Sequence, residues 1–237
     1  MEQKNKVASQ ADSFGPMAPK ERLISGVEQL GLKLTSIQID QMMCYLSELI
    51  RWNQKINLTA ITQEREIVTK HFLDSLSPLT LLQPDKGEHW IDVGSGAGFP
   101  ALVLKIALPD LSITLMEPVQ KKAAFLHHLI GRLGMRYVSV INARIESADA
   151  EKRLEGYDLL LTRALSPALV LEKGLSLVRA GGRILFFQGR PDARAWENRL
   201  SAYPSLRLER LVPIRLPFCP DARTLVLLRV NDEGARP

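Results

Sequence analysis

The chain is predicted to fold as an α/β protein, a mainly parallel seven-stranded sheet flanked by helices, with a helical extension at its N-terminus. Two observations predict this. The apolar rhythm changes after Pro84, from helical spacing to short apolar runs separated by helical stretches. A glycine-rich turn then follows the first of those runs directly. A length of 237 residues with 46% hydrophobic content allows one sizeable core. The expected division is a disordered tail over 1–18, an N-terminal helical segment over 19–83 and the sheet core over 84–237.

In chain order, Leu23, Val27 and Leu30 lie on one helical stripe and Ile39, Met42, Met43, Leu46, Leu49 and Ile50 on another. Gly31 ends the first helix, Thr35 and Ser36 can cap the second, and Asn53 to Thr59 breaks the pattern before helix returns near Ile67 to Leu82. Beyond Pro84 the strands are read at His89–Val93, Ser112–Glu117, Tyr137–Asn142, Tyr157–Thr162 and Gly182–Gln188. Helices are read between them at Pro100–Leu108, Gln120–Leu133 and Pro167–Val178, and Leu206–Leu216 with Thr224–Val230 forms a closing antiparallel pair.

Composition narrows the function classes. The two cysteines, Cys44 and Cys219, fit neither metal-ligand nor redox spacing, which points to buried thiols in a reducing compartment and hence the cytoplasm. No apolar run approaches the roughly 18 residues of a membrane span, and Met1 to Ala18 is polar rather than signal-like. The net charge is +5, and because Met1 to Gln83 holds nine basic and nine acidic residues, the whole surplus falls later in the chain. Such an excess suits a polyanionic partner.

The stretch that carries chemistry is Trp90-Ile91-Asp92-Val93-Gly94-Ser95-Gly96-Ala97-Gly98-Phe99-Pro100. Alternate glycines let a backbone approach a ligand and adopt positive φ, and the free N–H groups of the next helix favour electron-rich partners. A bare strand-to-helix turn is one other reading. A dinucleotide site is a second, but its G-x-G-x-x-G fingerprint wants glycine where Phe99 stands and an acid about 20 residues on. Glu117, ending the second strand, can accept both hydroxyls of a nucleoside ribose, cap the following helix, or do both.

With Asp92 to Gly98 on strand one and Glu117 on strand two, the chain resembles the class I S-adenosylmethionine-dependent methyltransferases. Trp52-Asn53-Gln54-Lys55-Ile56-Asn57-Leu58-Thr59, His71-Phe72-Leu73-Asp74-Ser75, Arg144-Ile145-Glu146 and Thr162-Arg163-Ala164 narrow the resemblance. It becomes the bacterial small-subunit ribosomal RNA methyltransferase G family, also called glucose-inhibited division protein B, over about Leu23 to Val230. The resemblance implies methylation of N7 of one guanine in small-subunit ribosomal RNA, with S-adenosylmethionine as cofactor. It also implies cofactor contacts at Asp92, Gly94, Gly96, Gly98, Phe99, Glu117, Ile145, Glu146 and Arg163. A family lysine before the glycine that ends strand five is replaced by Gln188, with Arg190 next as a stand-in for its charge.

Guanine N7 carries a lone pair and no proton, so the reaction needs alignment rather than a general base. Arg144 and Arg163, after strands three and four, are the candidates for positioning RNA or cofactor, and Arg163→Ala is expected to lower turnover without unfolding the chain. His71 and Asp74 are expected to tie the N-terminal helices to the core, and Asn57 and Thr59 to serve as turn and capping groups. His127 and His128 lack partners at ligand spacing, so no metal is expected. The expected partner is small-subunit RNA or the 30S particle, met by a monomer with no membrane association. A methyltransferase of protein or small molecules, or a non-catalytic RNA-binding scaffold, are the other readings.

Overall fold

The computed structural model describes residues 17–147 and 156–232. Of the expected tail over 1–18, only the last two positions fall within them. α1 (Pro19–Gln29) begins with proline, tolerated where no N–H partner is lost, and the Glu21 carboxylate accepts the Ala18 N–H. It stops where Gly31 turns to φ +71°. α2 (Ser36–Asn53) starts with a reciprocal cap: Thr35 Oγ1 accepts the Gln38 N–H, and Gln38 Oε1 accepts the Thr35 N–H.

Helix then returns in pieces rather than as one run to Leu82. α3 (Glu64–Ile67) passes into a π-helical turn, Val68–Leu73, then α4 (Asp74–Leu76) and a 3₁₀ turn, Ser77–Thr80. Val68, Thr69, His71, Phe72, Leu73, Asp74 and Ser75 are all buried. With Lys70 the one partly exposed position between Val68 and Ser75, too little solvent face is left to set a period of 3.6, and the sequence pattern showed no sign of the wider turn.

The sheet has the strand order β3-β2-β1-β4-β5-β7-β6, with β1 (His89–Val93), β2 (Ser112–Met116), β3 (Val138–Ile141), β4 (Tyr157–Thr162), β5 (Val178–Gln188), β6 (Leu206–Ile214) and β7 (Arg223–Val230). β1 to β5 run parallel, and β7 pairs antiparallel with both β5 and β6. α5 (Ala101–Ala107) follows β1 and α6 (Gln120–Arg132) follows β2. α7 (Pro167–Lys173) and α8 (Ala193–Leu200) flank β5 in the chain.

Two expectations are corrected. The helix read over Pro167–Val178 ends at Lys173, and β5 begins at Val178 rather than Gly182. Its early pairing with Tyr157 is separated from the regular ladder by a register shift, with Gly181 at φ +70°. α8 was not anticipated, although Asp192 caps it and Trp196 and Leu200 lie one turn apart on its buried side.

Period-two alternation sorts the strands between two cores. Trp90, Leu115, Leu159 and Leu161 join the N-terminal helices, α5 and α6 in one apolar cluster. Ile91, Met116, Leu160 and Ile184 join α7 and α8 in the other. Asp92 shares the alternation of Trp90, and Arg163 that of Leu159 and Leu161. Both therefore belong to the face covered by the N-terminal helices.

Candidate active site

β1 lies between β2 and β4. The chain leaves β1 toward one side of the sheet and returns at β4 on the other, and crevices at such switch points collect ligands in open α/β sheets. The glycine turn sits at that point. Gly94, Gly96 and Gly98 all have positive φ, at +77°, +58° and +94°. Their reasons differ. A Cβ on Gly98 would come within 2.7 Å of Leu102 and 2.8 Å of the Tyr45 hydroxyl, and one on Gly94 within 3.3 Å of Leu165. One on Gly96 would meet nothing nearer than the Gly94 carbonyl at 3.9 Å, so Gly96 opens onto free space that a ligand can use.

Glu117 closes this turn. Its Oε2 accepts the Gly96 N–H at 2.8 Å and its Oε1 accepts the Val119 N–H at 2.8 Å just before α6, so the carboxylate reaches the turn and caps the helix together. The side chain is buried, and the Asn142 amide donates to the Glu117 carbonyl. Its placement suits a pair of ligand hydroxyls beside Gly96.

Asp92 is fully buried under the same turn, and neither carboxylate oxygen has a hydrogen-bond partner among the described residues. Burial pushes its carboxyl up to about 8, an effect that the Arg163 charge offsets only in part. A carboxyl raised in this way stays protonated in the fold after the unfolded chain has ionised. The stability that this group contributes is therefore full below about pH 4 and is lost as pH rises toward about 8. Asp92→Asn is expected to melt above the wild type near pH 8 and level with it near pH 4. Thermal melts across that range check this, and a difference that does not vary with pH would show that Asp92 ionises freely.

Arg163, just beyond β4, is largely buried rather than free to reach outward. Its guanidinium meets Asp74 Oδ2 at 3.2 Å and donates to His71 Nδ1 at 3.0 Å, and its centre lies 5.8 Å from the Phe99 ring centroid. Asp74, with 2% of its side chain exposed, also holds Arg223 of β7 at 3.1 Å. Burial raises Asp74 and lowers Arg163, each opposed by the other's charge. His71 accepts from Arg163 at Nδ1, so its Nε2–H is left to donate to Thr59 Oγ1 at 2.8 Å. Burial, then the Arg163 charge, lowers His71 to about 3, so it is neutral near pH 7. His71 and Asp74 thus tie the N-terminal helices to two strands.

The other expected residues scatter. Phe99 is buried and stacked on Tyr45 at 5.1 Å and on His71 at 4.5 Å, so its ring packs and leaves its backbone for a ligand. Ile145 is buried while Arg144 and Glu146 are exposed; the Ser147 hydroxyl donates to the Arg144 carbonyl at 2.8 Å, and the Arg144 guanidinium has no hydrogen bond or ion pair among the described residues. Arg190 is exposed, and Gln188 accepts the Trp196 indole N–H at 3.1 Å. Asn53 accepts the Leu58 and Thr59 N–H groups and donates to the Thr59 carbonyl, which makes it the organiser of the Trp52–Thr59 turn. Thr59 also has the expected turn role, its hydroxyl accepting the Ile61 N–H at 3.1 Å, whereas Asn53 was not singled out from the sequence. Sequence reasoning also missed Tyr45, whose hydroxyl donates to the Ala97 carbonyl. Its position one residue before Leu46, inside the buried stripe of α2, was the available signal. His128 pairs with Glu48 at 2.8 Å, and no group of three or more metal-ligating side chains is found among the described residues.

The family profile described as rRNA small subunit methyltransferase G (GidB) matches residues 38–224. A ribosomal RNA small subunit methyltransferase G from Caldanaerobacter subterraneus subsp. tengcongensis is 37% identical over 216 residues, covering 90% of each chain. The protein of that name from Roseiflexus castenholzii is 50% identical over 162 residues, covering 67% of this chain and 68% of its own. Among solved structures, a SAM-dependent methyltransferase from Aquifex aeolicus superposes with a TM-score of 0.52 at 15% identity, over 70% of this chain and 93% of its own.

Proposed function

Because this chain belongs to the rRNA small subunit methyltransferase G family, we propose that it transfers a methyl group from S-adenosylmethionine to N7 of one guanine in small-subunit ribosomal RNA. The cofactor supplies an electrophilic methyl on a sulfonium, next to a methionyl ammonium and an adenosine. The residues present fit such a group. Gly96 faces open space that a Cβ would occupy, and Asp92, whose carbonyl accepts the Ser95 hydroxyl, is buried beneath the turn. Glu117 offers a carboxylate to paired hydroxyls. Ile145 and Glu146, in the turn after β3, flank the adenine in this reading, and Gly94, Gly98 and Phe99 contribute backbone.

The single observation that carries the reading is the Glu117 carboxylate bonded into the glycine turn at Gly96. Guanine N7 needs no proton removed, which agrees with a site whose one buried histidine is neutral and already accepts a hydrogen bond from Arg163. The chain's contribution is to hold nucleophile and methyl in line. Arg163 orients the Phe99 end of the turn, and exposed Arg144 is free to meet a phosphate.

Labelled methyl transfer to small-subunit RNA from cells lacking the enzyme, offered naked and as 30S particle, tests the proposal. Label at one guanine N7 in either form is expected. Label confined to protein or small-molecule fractions would overturn it in favour of another acceptor.

A further inference from the structure

A cavity of about 310 Å³ opens beside the cofactor crevice, between the Trp52–Thr59 turn and the start of α6. Lys55, Lys121 and Lys122 line it with Ile56, Asn57 and Val119, and no carboxylate does. None of the three lysines makes a salt bridge among the described residues. The first turn of α6 carries Lys121 and Lys122, and the one carboxylate at that end is Glu117, which caps the helix from before it and is turned toward Gly96. Cations at a helix N-terminus oppose the helix dipole, where acids are favoured. Val119, 46% exposed, adds an apolar surface at the mouth, and its N–H is the one that Glu117 accepts.

Resting on the function proposed above, we infer that this cavity seats a phosphodiester of the substrate RNA next to the strand carrying the target guanine. Three cations from two separate elements, around a space wider than one small anion requires, match a polyanionic strand better than a free phosphate. Lys55 brings the N-terminal turn into the same contact, so the RNA bridges the turn and α6.

The test compares wild type with Lys55→Gln/Lys121→Gln/Lys122→Gln, measuring affinity for a small-subunit RNA fragment across salt, with S-adenosylhomocysteine affinity as the readout of fold and crevice. The variant is expected to bind RNA at least about tenfold more weakly, with the slope of log affinity against log salt shallower by about 2. Nucleoside affinity should stay the same. Unchanged RNA affinity and slope, in a protein that still methylates RNA, would overturn the inference alone. Loss of nucleoside binding would also overturn it, by assigning the cavity to the cofactor. Tight competition by inorganic phosphate would replace the RNA by a small anion. If the wild type neither binds nor methylates RNA, the functional reading falls first and this inference with it.

Discussion

Glu117→Gln is expected to weaken S-adenosylhomocysteine binding by about 100-fold while the chain stays folded. Two ribose hydroxyls bonded to a charged carboxylate each gain about 1.5 kcal/mol over a neutral acceptor, and about 3 kcal/mol is a factor of roughly 100 in affinity. Glutamine keeps the shape and one acceptor oxygen, so either the Gly96 or the Val119 N–H retains a partner. Titration calorimetry reads the loss directly. An unchanged affinity would mean that Glu117 serves only the turn and the helix cap.

Arg163→Ala is expected to be damaging in two separable ways. It leaves the buried Asp74 with Arg223 as its remaining guanidinium partner, and breaking a buried pair from one side costs about 3 kcal/mol. It also frees His71 and the Phe99 ring, so turnover should fall further than nucleoside affinity. The sequence-based expectation that this variant leaves the fold untouched is therefore too lenient. Adding Asp74→Asn removes the stranded charge and should recover much of the melting temperature without recovering turnover. Recovery of both would show that Arg163 acts through stability alone.

How much of this was legible depends on distance along the chain. The β1 turn and Glu117 were readable because strand, glycines, helix and acid follow one another within a single βαβ unit. That order is enough to set β1 beside β2 and Glu117 beside Gly96. The Asp74 cluster was readable only as two side chains on one helical face. Its other members lie far off, with Arg163 92 positions from His71 and Arg223 149 positions from Asp74, and no periodicity relates them. The closing antiparallel pair was clear from strand-like runs, whereas β5 hid its start because Leu175, Leu177 and Val178 continue a helical apolar stripe past Gly174. Lys121 and Lys122 were visible as charges, but only the fold sets them across a cavity from Lys55.

The Tyr45 hydroxyl on the Ala97 carbonyl, 52 positions away, links α2 to the middle of the glycine turn. Three consecutive glycine alternations would otherwise leave that backbone a wide choice of shapes, all but one of which an incoming nucleoside would have to suppress. By holding it from outside, the helix settles that choice during folding. The entropic cost of ordering the loop is then borne before the ligand arrives, and more of the contact energy remains to grip it.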